Sequence, residues 1–140
     1  MAVPLVILDT NVLVAAIRSR HGASYRVLER LGTGAFEIAV SVPLILEYED
    51  AMLRRRGVLS EQDVRNVVDY VCGVARRQKI FYLWRPLLRD PKDDMVAEVA
   101  LAAGARAVVT HNRRDFVEIE RFGVRVFSPQ EFLRTIGGGK

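Results

Sequence analysis

Three observations predict an α/β domain with a mostly parallel central sheet packed between helices. Short, wholly apolar runs such as Leu5-Val6-Ile7-Leu8 lack polar alternation, as strands buried on both faces do. Stretches with helical apolar spacing separate these runs along the chain. The 140 residues, half of them hydrophobic, suffice for one core and are too few for two ordinary domains.

The elements follow in order. Leu5 to Leu8 is the first strand; Asp9-Thr10-Asn11 ends it, and Val12 to Arg18 reads as a helix. Ser24 to Leu31 is a short helix closed by Gly32 and Gly34, and Phe36 to Val40 is the second strand. Ser41 to Arg56 is the next helix. Pro43 sits in its first turn, where a missing N–H costs little, Arg54-Arg55-Arg56 suits its negative C-terminal end, and Gly57 closes it. Ser60-Glu61-Gln62-Asp63 has the form of a capping box, with Asp63 in place of the usual glutamate. The helix behind it carries Val64, Val67, Val68, Val71 and Val74 on one stripe.

Ile80 to Trp84 is a candidate extended segment. Asp90-Pro91-Lys92-Asp93 opens a helix that runs to Ala103, with Gly104 after it. Ala107 to Thr110 is a buried strand, Arg125 to Phe127 a short one, and Pro129 to Ile136 the last helix. No repeat or linker divides residues 1–136, which form a single domain, and residues 137–140 have nothing to bury and form a flexible tail.

Composition excludes several classes. The net charge of +4 suits a polyanionic partner only weakly. The cations do cluster, at Arg18, Arg20 and His21, at Arg54-Arg55-Arg56, at Arg76, Arg77 and Lys79, and at Arg113-Arg114. Each cluster has an equally good reading as a solvated helix end. Cys72 is the lone cysteine, so there is no intrachain disulfide or thiolate metal site, and it packs as a small apolar residue. No signal peptide opens the chain, and the longest apolar run, Val12 to Ile17, is too short to span a bilayer. The expectation is a cytoplasmic protein with no membrane association.

The chemistry lies in the acids. Asp9 follows the first strand, Glu47 sits in the helix after the second, Asp93 and Asp94 begin the helix before the Ala107 strand, and Asn112 and Asp115 follow that strand. In a parallel sheet, active sites lie at the carboxyl ends of the strands, so distant segments deliver these acids to one edge. Clustered carboxylates repel unless a cation joins them. Hard oxygen ligands suit Mg²⁺ or Mn²⁺, which activate water and neutralise charge at a phosphate under attack. His21 and His111 lack zinc-site spacing.

Each acid also has a plain structural role available. Asp9 suits a helix N-cap, and Asp90, Asp93 and Asp94 suit the positive end of a helix. At about 100° per residue, Val96, Val99, Ala100 and Ala103 form the apolar face of the Asp93 helix. Asp93 projects beside that face, while Asp94 projects almost opposite it, near Glu98, and is the less well placed ligand. In the Ser41 helix, Glu47 and Glu49 border opposite sides of the apolar face formed by Leu44, Ile45, Tyr48, Ala51 and Met52, and periodicity does not choose between them.

These segments resemble the PIN-domain family. Val6-Ile7-Leu8-Asp9-Thr10-Asn11-Val12-Leu13 is similar to its opening motif, and Glu47-Tyr48-Glu49 to the helix carrying its glutamate. Asp90-Pro91-Lys92-Asp93-Asp94, followed by Ala100 to Ala105, is similar to its third acidic segment, and Val108 to Phe116 to its fourth. The branch most resembled is the VapC-like toxins of type II toxin–antitoxin pairs. The resemblance implies a three-layer α/β/α fold and a Mg²⁺- or Mn²⁺-dependent endoribonuclease that uses a metal-activated water on an RNA phosphodiester. It also implies a homodimer and a small antitoxin whose C-terminal segment covers the site. Carried over by position, Asp9, Glu47 and Asp93 would be the core metal ligands and Asp115 a fourth catalytic acid, acting directly or through water. Asn11 and Thr110 would orient ligands or phosphate, beside Asn112.

One stretch departs from the pattern. Where the nearest group has Thr-Gly-Asp, this chain has Thr110-His111-Asn112, which puts a second metal in doubt because asparagine brings no charge. That departure motivates an alternative, a catalytically weak PIN-fold module that binds RNA or a partner. An aspartate phosphotransfer domain also fits a strand ending in Asp9, but position 11 is Asn11 rather than a second aspartate, and Leu8-Asp9 supplies only one acid where a receiver needs two. Arg113 and Arg114, nearest the acids, are the candidate contacts to the RNA backbone; such contacts give affinity without sequence choice.

Overall fold

The computed structural model describes residues 3–80, 88 and 91–137. Its elements are β1 (Leu5–Leu8), α1 (Thr10–Arg18), α2 (Ala23–Arg30), β2 (Glu37–Val40), α3 (Val42–Arg54), α4 (Glu61–Val74), β3 (Arg76–Arg77), α5 (Pro91–Ala103), β4 (Ala107–Val109), β5 (Arg125–Phe127) and α6 (Pro129–Thr135). A 3₁₀ segment, Arg113–Phe122, joins β4 to β5. The strands form one five-stranded sheet in the order β3-β2-β1-β4-β5. Every pairing among the described residues is parallel, so the sheet they form is wholly rather than mostly parallel.

The topology follows from right-handed crossovers. From β1 the chain steps outward to β2 and β3, so α1 to α4 lie over one face. It then returns across the sheet to β4, which places α5 on the other face, and continues to β5. Accordingly α1 packs on α2 and α3, α3 on α4 and α2 on α6, whereas α5 packs on β1, β2, β4 and the 3₁₀ segment. The result is the expected α/β/α sandwich. Both faces of the inner strands are covered, and Ile7, Leu8, Ile38, Ala39, Val40, Val108 and Val109 are fully buried. Phe132 of α6 meets Phe36 edge to face at 5.0 Å between ring centroids, which closes the layer over the start of β2.

Local chemistry sets the boundaries. The Ser41 side chain caps α3 by accepting from the Leu44 N–H, and Pro43 stands in its first turn. Ser60 and Asp63 form the anticipated capping box on α4. A second box, Ser128 with Glu131, starts α6. A side chain at Gly32 would be strained: its φ is +82°, and a Cβ there would lie 2.5 Å from the Tyr70 hydroxyl, which would have to move. That hydroxyl donates to the Leu31 carbonyl at 2.7 Å and ties the end of α2 to α4.

Three expectations change. The outer strand is Arg76–Arg77, one of the basic clusters, which pairs with Ala39 and Val40. Of the Ile80–Trp84 segment only Ile80 belongs to the described residues, in irregular backbone; the tail beyond Gly137, and Asp90, also fall outside them. Second, the polar side of α5 is not solvated: Asp94 is 2% exposed and Glu98 3%. The helical wheel assumed one buried face, but α5 lies on the sheet with further protein around it. The Asp94 carboxylate accepts from the Leu88 backbone N–H at 2.7 Å. Third, the stretch after β4, to which the sequence reading assigns no element, is the 3₁₀ segment, anchored by Phe116 and Ile119 three residues apart.

Candidate active site

In the strand order, β1 is the switch point. Connections leave it in one direction to β2 and arrive on its other side at β4. The helices that follow β1 and β4 therefore diverge, and a crevice opens between the carboxyl ends of these two strands. Asp9 stands at the end of β1 and Thr110 at the end of β4, on either side of that crevice.

Asp9 occupies the N-cap position of α1, but its side chain makes no capping bond. Its carboxylate instead accepts from the Thr110 hydroxyl at 2.7 Å, and the residue is 6% exposed. The helix-cap reading of Asp9 is thereby set aside. The carboxylate is held across the switch point by a residue 101 positions away. Thr110 is fully buried, and its oxygen also accepts from the Asn112 N–H at 2.9 Å. Beside it the His111 N–H donates to the Asn11 side-chain oxygen at 3.3 Å. Thr110 and Asn112 thus join Asp9 in one network, and Asn11 bonds to the backbone of the intervening His111.

Glu47 comes from α3. The Tyr48 hydroxyl, on the next residue, donates to the Leu8 carbonyl and pins α3 to the last residue of β1. Burial pushes the Tyr48 phenol well above its ordinary range, with the Asp9 charge adding to it, so it stays a protonated donor. The Glu47 side chain is 14% exposed and lies 3.7 Å from Arg54. Glu49, the equal candidate on spacing, instead pairs with Arg65 of α4 at 3.8 Å. Each glutamate is thus ion-paired to an arginine, Glu47 within α3 and Glu49 across to α4.

Asp93 lies in the first turn of α5 and is half-buried. Asp115 is exposed in the first turn of the 3₁₀ segment, with its N–H on the Asn112 carbonyl at 3.0 Å. Among the described residues, no three carboxylate, histidine or cysteine side chains stand together as a metal cage. Arg113 pairs with Glu131 at 3.1 Å, whereas Arg114 is exposed beside it. Cys72 is half-buried, and burial pushes its thiol up, in keeping with a packing role. It lines an apolar cavity of about 830 Å³ beside α3 and the end of β2, with Ile45, Leu46, Arg77 and Glu98.

Two residues of this region carried no signal of their own in the sequence. The Ser24 hydroxyl and the His111 Nε2 are 2.6 Å apart, although 87 positions separate them. Ser24 is buried at the start of α2. Burial lowers the pKa of the His111 imidazole, which favours its neutral form.

A wholly parallel α/β/α sandwich with a buried aspartate at its switch point defines a class of domain. The PIN domain model matches residues 5–114, and the chain belongs to that family. Solved structures with the same fold include VapBC2 from Rickettsia felis bound to a DNA fragment from their promoter, with a TM-score of 0.60 and 18% identity over 89% of this chain and 98% of that one. VapBC-1 from nontypeable Haemophilus influenzae aligns with a TM-score of 0.60 and 17% identity over 89% and 98%. FitAcB from Neisseria gonorrhoeae aligns with a TM-score of 0.62 and 17% identity over 89% and 97%. No curated protein sequence matches significantly. Asp115 falls just beyond the matched residues. Among the described residues, no helix is long and apolar enough to cross a membrane.

Proposed function

We propose that this PIN domain is a divalent-metal-dependent endoribonuclease and the toxin of a type II toxin–antitoxin pair. The observation that carries the reading is the Asp9 carboxylate, buried at the switch point and oriented by Thr110 rather than used as a helix cap. Family membership and the likeness in fold to the VapBC structures support it.

The donor set is all oxygen, which fits Mg²⁺ or Mn²⁺, ions that keep several waters and need few protein ligands. Asp9, Glu47 and Asp93 would hold the ion, with Asp115 reaching it directly or through water. Asp94 is the weaker candidate, since one of its oxygens already serves the Leu88 N–H. When bound, the ion activates water and offsets charge on the phosphate. In the hydrolysis a water oxygen adds to phosphorus, a P–O bond breaks, and the departing sugar oxygen takes a proton. Thr110 orients Asp9, an outer-shell role that fixes ligand geometry. Asn11 and Asn112 edge the crevice, and Arg114 more than the ion-paired Arg113 meets the RNA backbone. A small antitoxin covering this edge, a homodimer and a cytoplasmic setting complete the reading.

The test is Asp9→Asn. The asparagine oxygen still accepts from Thr110, so the fold survives while the charge is lost. Purified wild type should cleave RNA with Mn²⁺ or Mg²⁺ and lose the activity with a chelator, and the variant should melt normally without cutting. Equal cleavage by the variant would overturn the proposal. A protein that binds RNA but neither cuts nor takes up Mn²⁺ would instead be a binding module.

A further inference from the structure

We infer that His111 is a positioning residue, pinned by Ser24 so that its backbone N–H fixes Asn11 with its side-chain NH₂ left to donate to a substrate phosphate. The inference rests on the nuclease reading of the Asp9 site and assigns roles within it.

The argument begins with hydrogen-bond inventory. An asparagine side chain has one acceptor and two donor hydrogens. A backbone N–H only donates, so the group 3.3 Å from the His111 nitrogen must be the Asn11 oxygen. With its oxygen engaged, Asn11 offers the NH₂ group. An NH₂ donor suits a phosphate oxygen, so with its oxygen turned to the His111 N–H the group Asn11 presents is a phosphate donor.

What holds the His111 N–H in place is the next question. His111 lies at the end of β4, where the chain leaves the sheet, and its residue surface is exposed. Two anchors flank its backbone. Thr110 is locked to Asp9 at 2.7 Å and to the Asn112 N–H at 2.9 Å. The imidazole is locked to Ser24 at 2.6 Å, and Ser24 is buried in a helix packed on α1 and α6. The turn therefore has a strap to the helical layer through its side chain and to the strand end through its neighbour. At 3.3 Å the bond from His111 to Asn11 is at the long, weak end of the N–H···O range, whereas the Ser24 contact that holds the same residue is short at 2.6 Å.

The variants are Ser24→Ala, His111→Ala, His111→Gln and Asn11→Ala, with Asp9→Asn as the control for the site itself. Cleavage of a mixed-sequence RNA oligonucleotide in Mn²⁺ gives kcat and KM, and ¹⁵N–¹H spectra of the metal-free protein report the Asn11 side-chain amide. Loss of one charge-assisted hydrogen bond to phosphate corresponds to roughly a tenfold fall in kcat/KM. Ser24→Ala, His111→Ala and Asn11→Ala should each show it. His111→Gln, whose amide reaches back to Ser24, should recover most of it. The His111→Ala, Asn11→Ala double variant should be no worse than Asn11→Ala alone, because His111 acts through Asn11. The Asn11 NH₂ resonances should move in Ser24→Ala and His111→Ala and return in His111→Gln. Additive losses, no rescue by glutamine, or an unmoved Asn11 amide would overturn the inference while Asp9→Asn remained inactive. Cleavage by Asp9→Asn would overturn the nuclease reading instead, and the spectra would still decide the hydrogen bonding.

Discussion

Thr110→Val is the most informative perturbation of the site, because it changes one oxygen and almost no volume. In the native protein that oxygen donates to Asp9 at 2.7 Å and accepts from the Asn112 N–H at 2.9 Å, in a residue with no solvent exposure. A hydrogen bond to a charged group contributes about 1.5–3 kcal/mol, and the second bond about 1 kcal/mol. The sum is about 2.5–4 kcal/mol. A domain of this length has an unfolding entropy of about 0.3 kcal/mol/K, so the melting temperature should fall by about 8–13 °C. The site should suffer as well. Outer-shell partners of metal ligands typically govern affinity by about 10–100-fold, so Mn²⁺ binding should weaken within that range. Calorimetry of Mn²⁺ binding and thermal melting in metal-free buffer separate the two effects. Thr110→Ser, which keeps the oxygen, should bind Mn²⁺ as wild type does. A Thr110→Val protein that melts within 2 °C of wild type and binds Mn²⁺ equally would refute the role given to Thr110.

Three further outcomes are expected. Arg114→Ala should weaken RNA binding and flatten its salt dependence more than Arg113→Ala, whose guanidinium already pairs with Glu131; titrations at several salt concentrations check this. The Ser128 N–H holds the Glu131 carboxyl below its ordinary value, with the Ser128 hydroxyl and the charges of Arg113 and Arg134 assisting. A depressed carboxylate pKa stabilises the fold at pH above its unfolded value, near 4.5, and that advantage is lost as pH falls through the folded value. The melting temperature of wild type should therefore approach that of Glu131→Gln below about pH 4.5. Phe132→Ala should cost about 3–5 kcal/mol in denaturant unfolding, since it empties a buried ring site against Phe36.

Sequence by itself determined the layers and most of the elements. Apolar runs without alternation mark β1, β2 and β4 because a parallel sheet is covered on both faces. Pro43 in a first turn and the capping box at Ser60 mark helix starts, because the first backbone N–H groups have no partner within the helix. The acids were visible as types in an order. Periodicity did not see the two-residue strand Arg76–Arg77, whose side chains read as a basic cluster and whose strand character comes from pairing with Ala39 and Val40. It also misjudged the far side of α5, because a helical wheel carries one burial direction and this helix has more than one.

Tertiary structure decided which side chains meet. Whether Asp9 caps its own helix or faces the switch point depends on Thr110, 101 residues away. That Glu49 leans on Arg65 of the neighbouring helix while Glu47 pairs within its own helix depends on how α3 and α4 pack. The pairing of Ser24 with His111 has no local signature at all, since a serine in a first helical turn reads as a helix start and a histidine after a strand reads as a loop. Local pattern reports which face of an element is apolar. Only the closure of the sheet fixes which polar groups meet across it, and the chemistry proposed for this chain lies in those meetings.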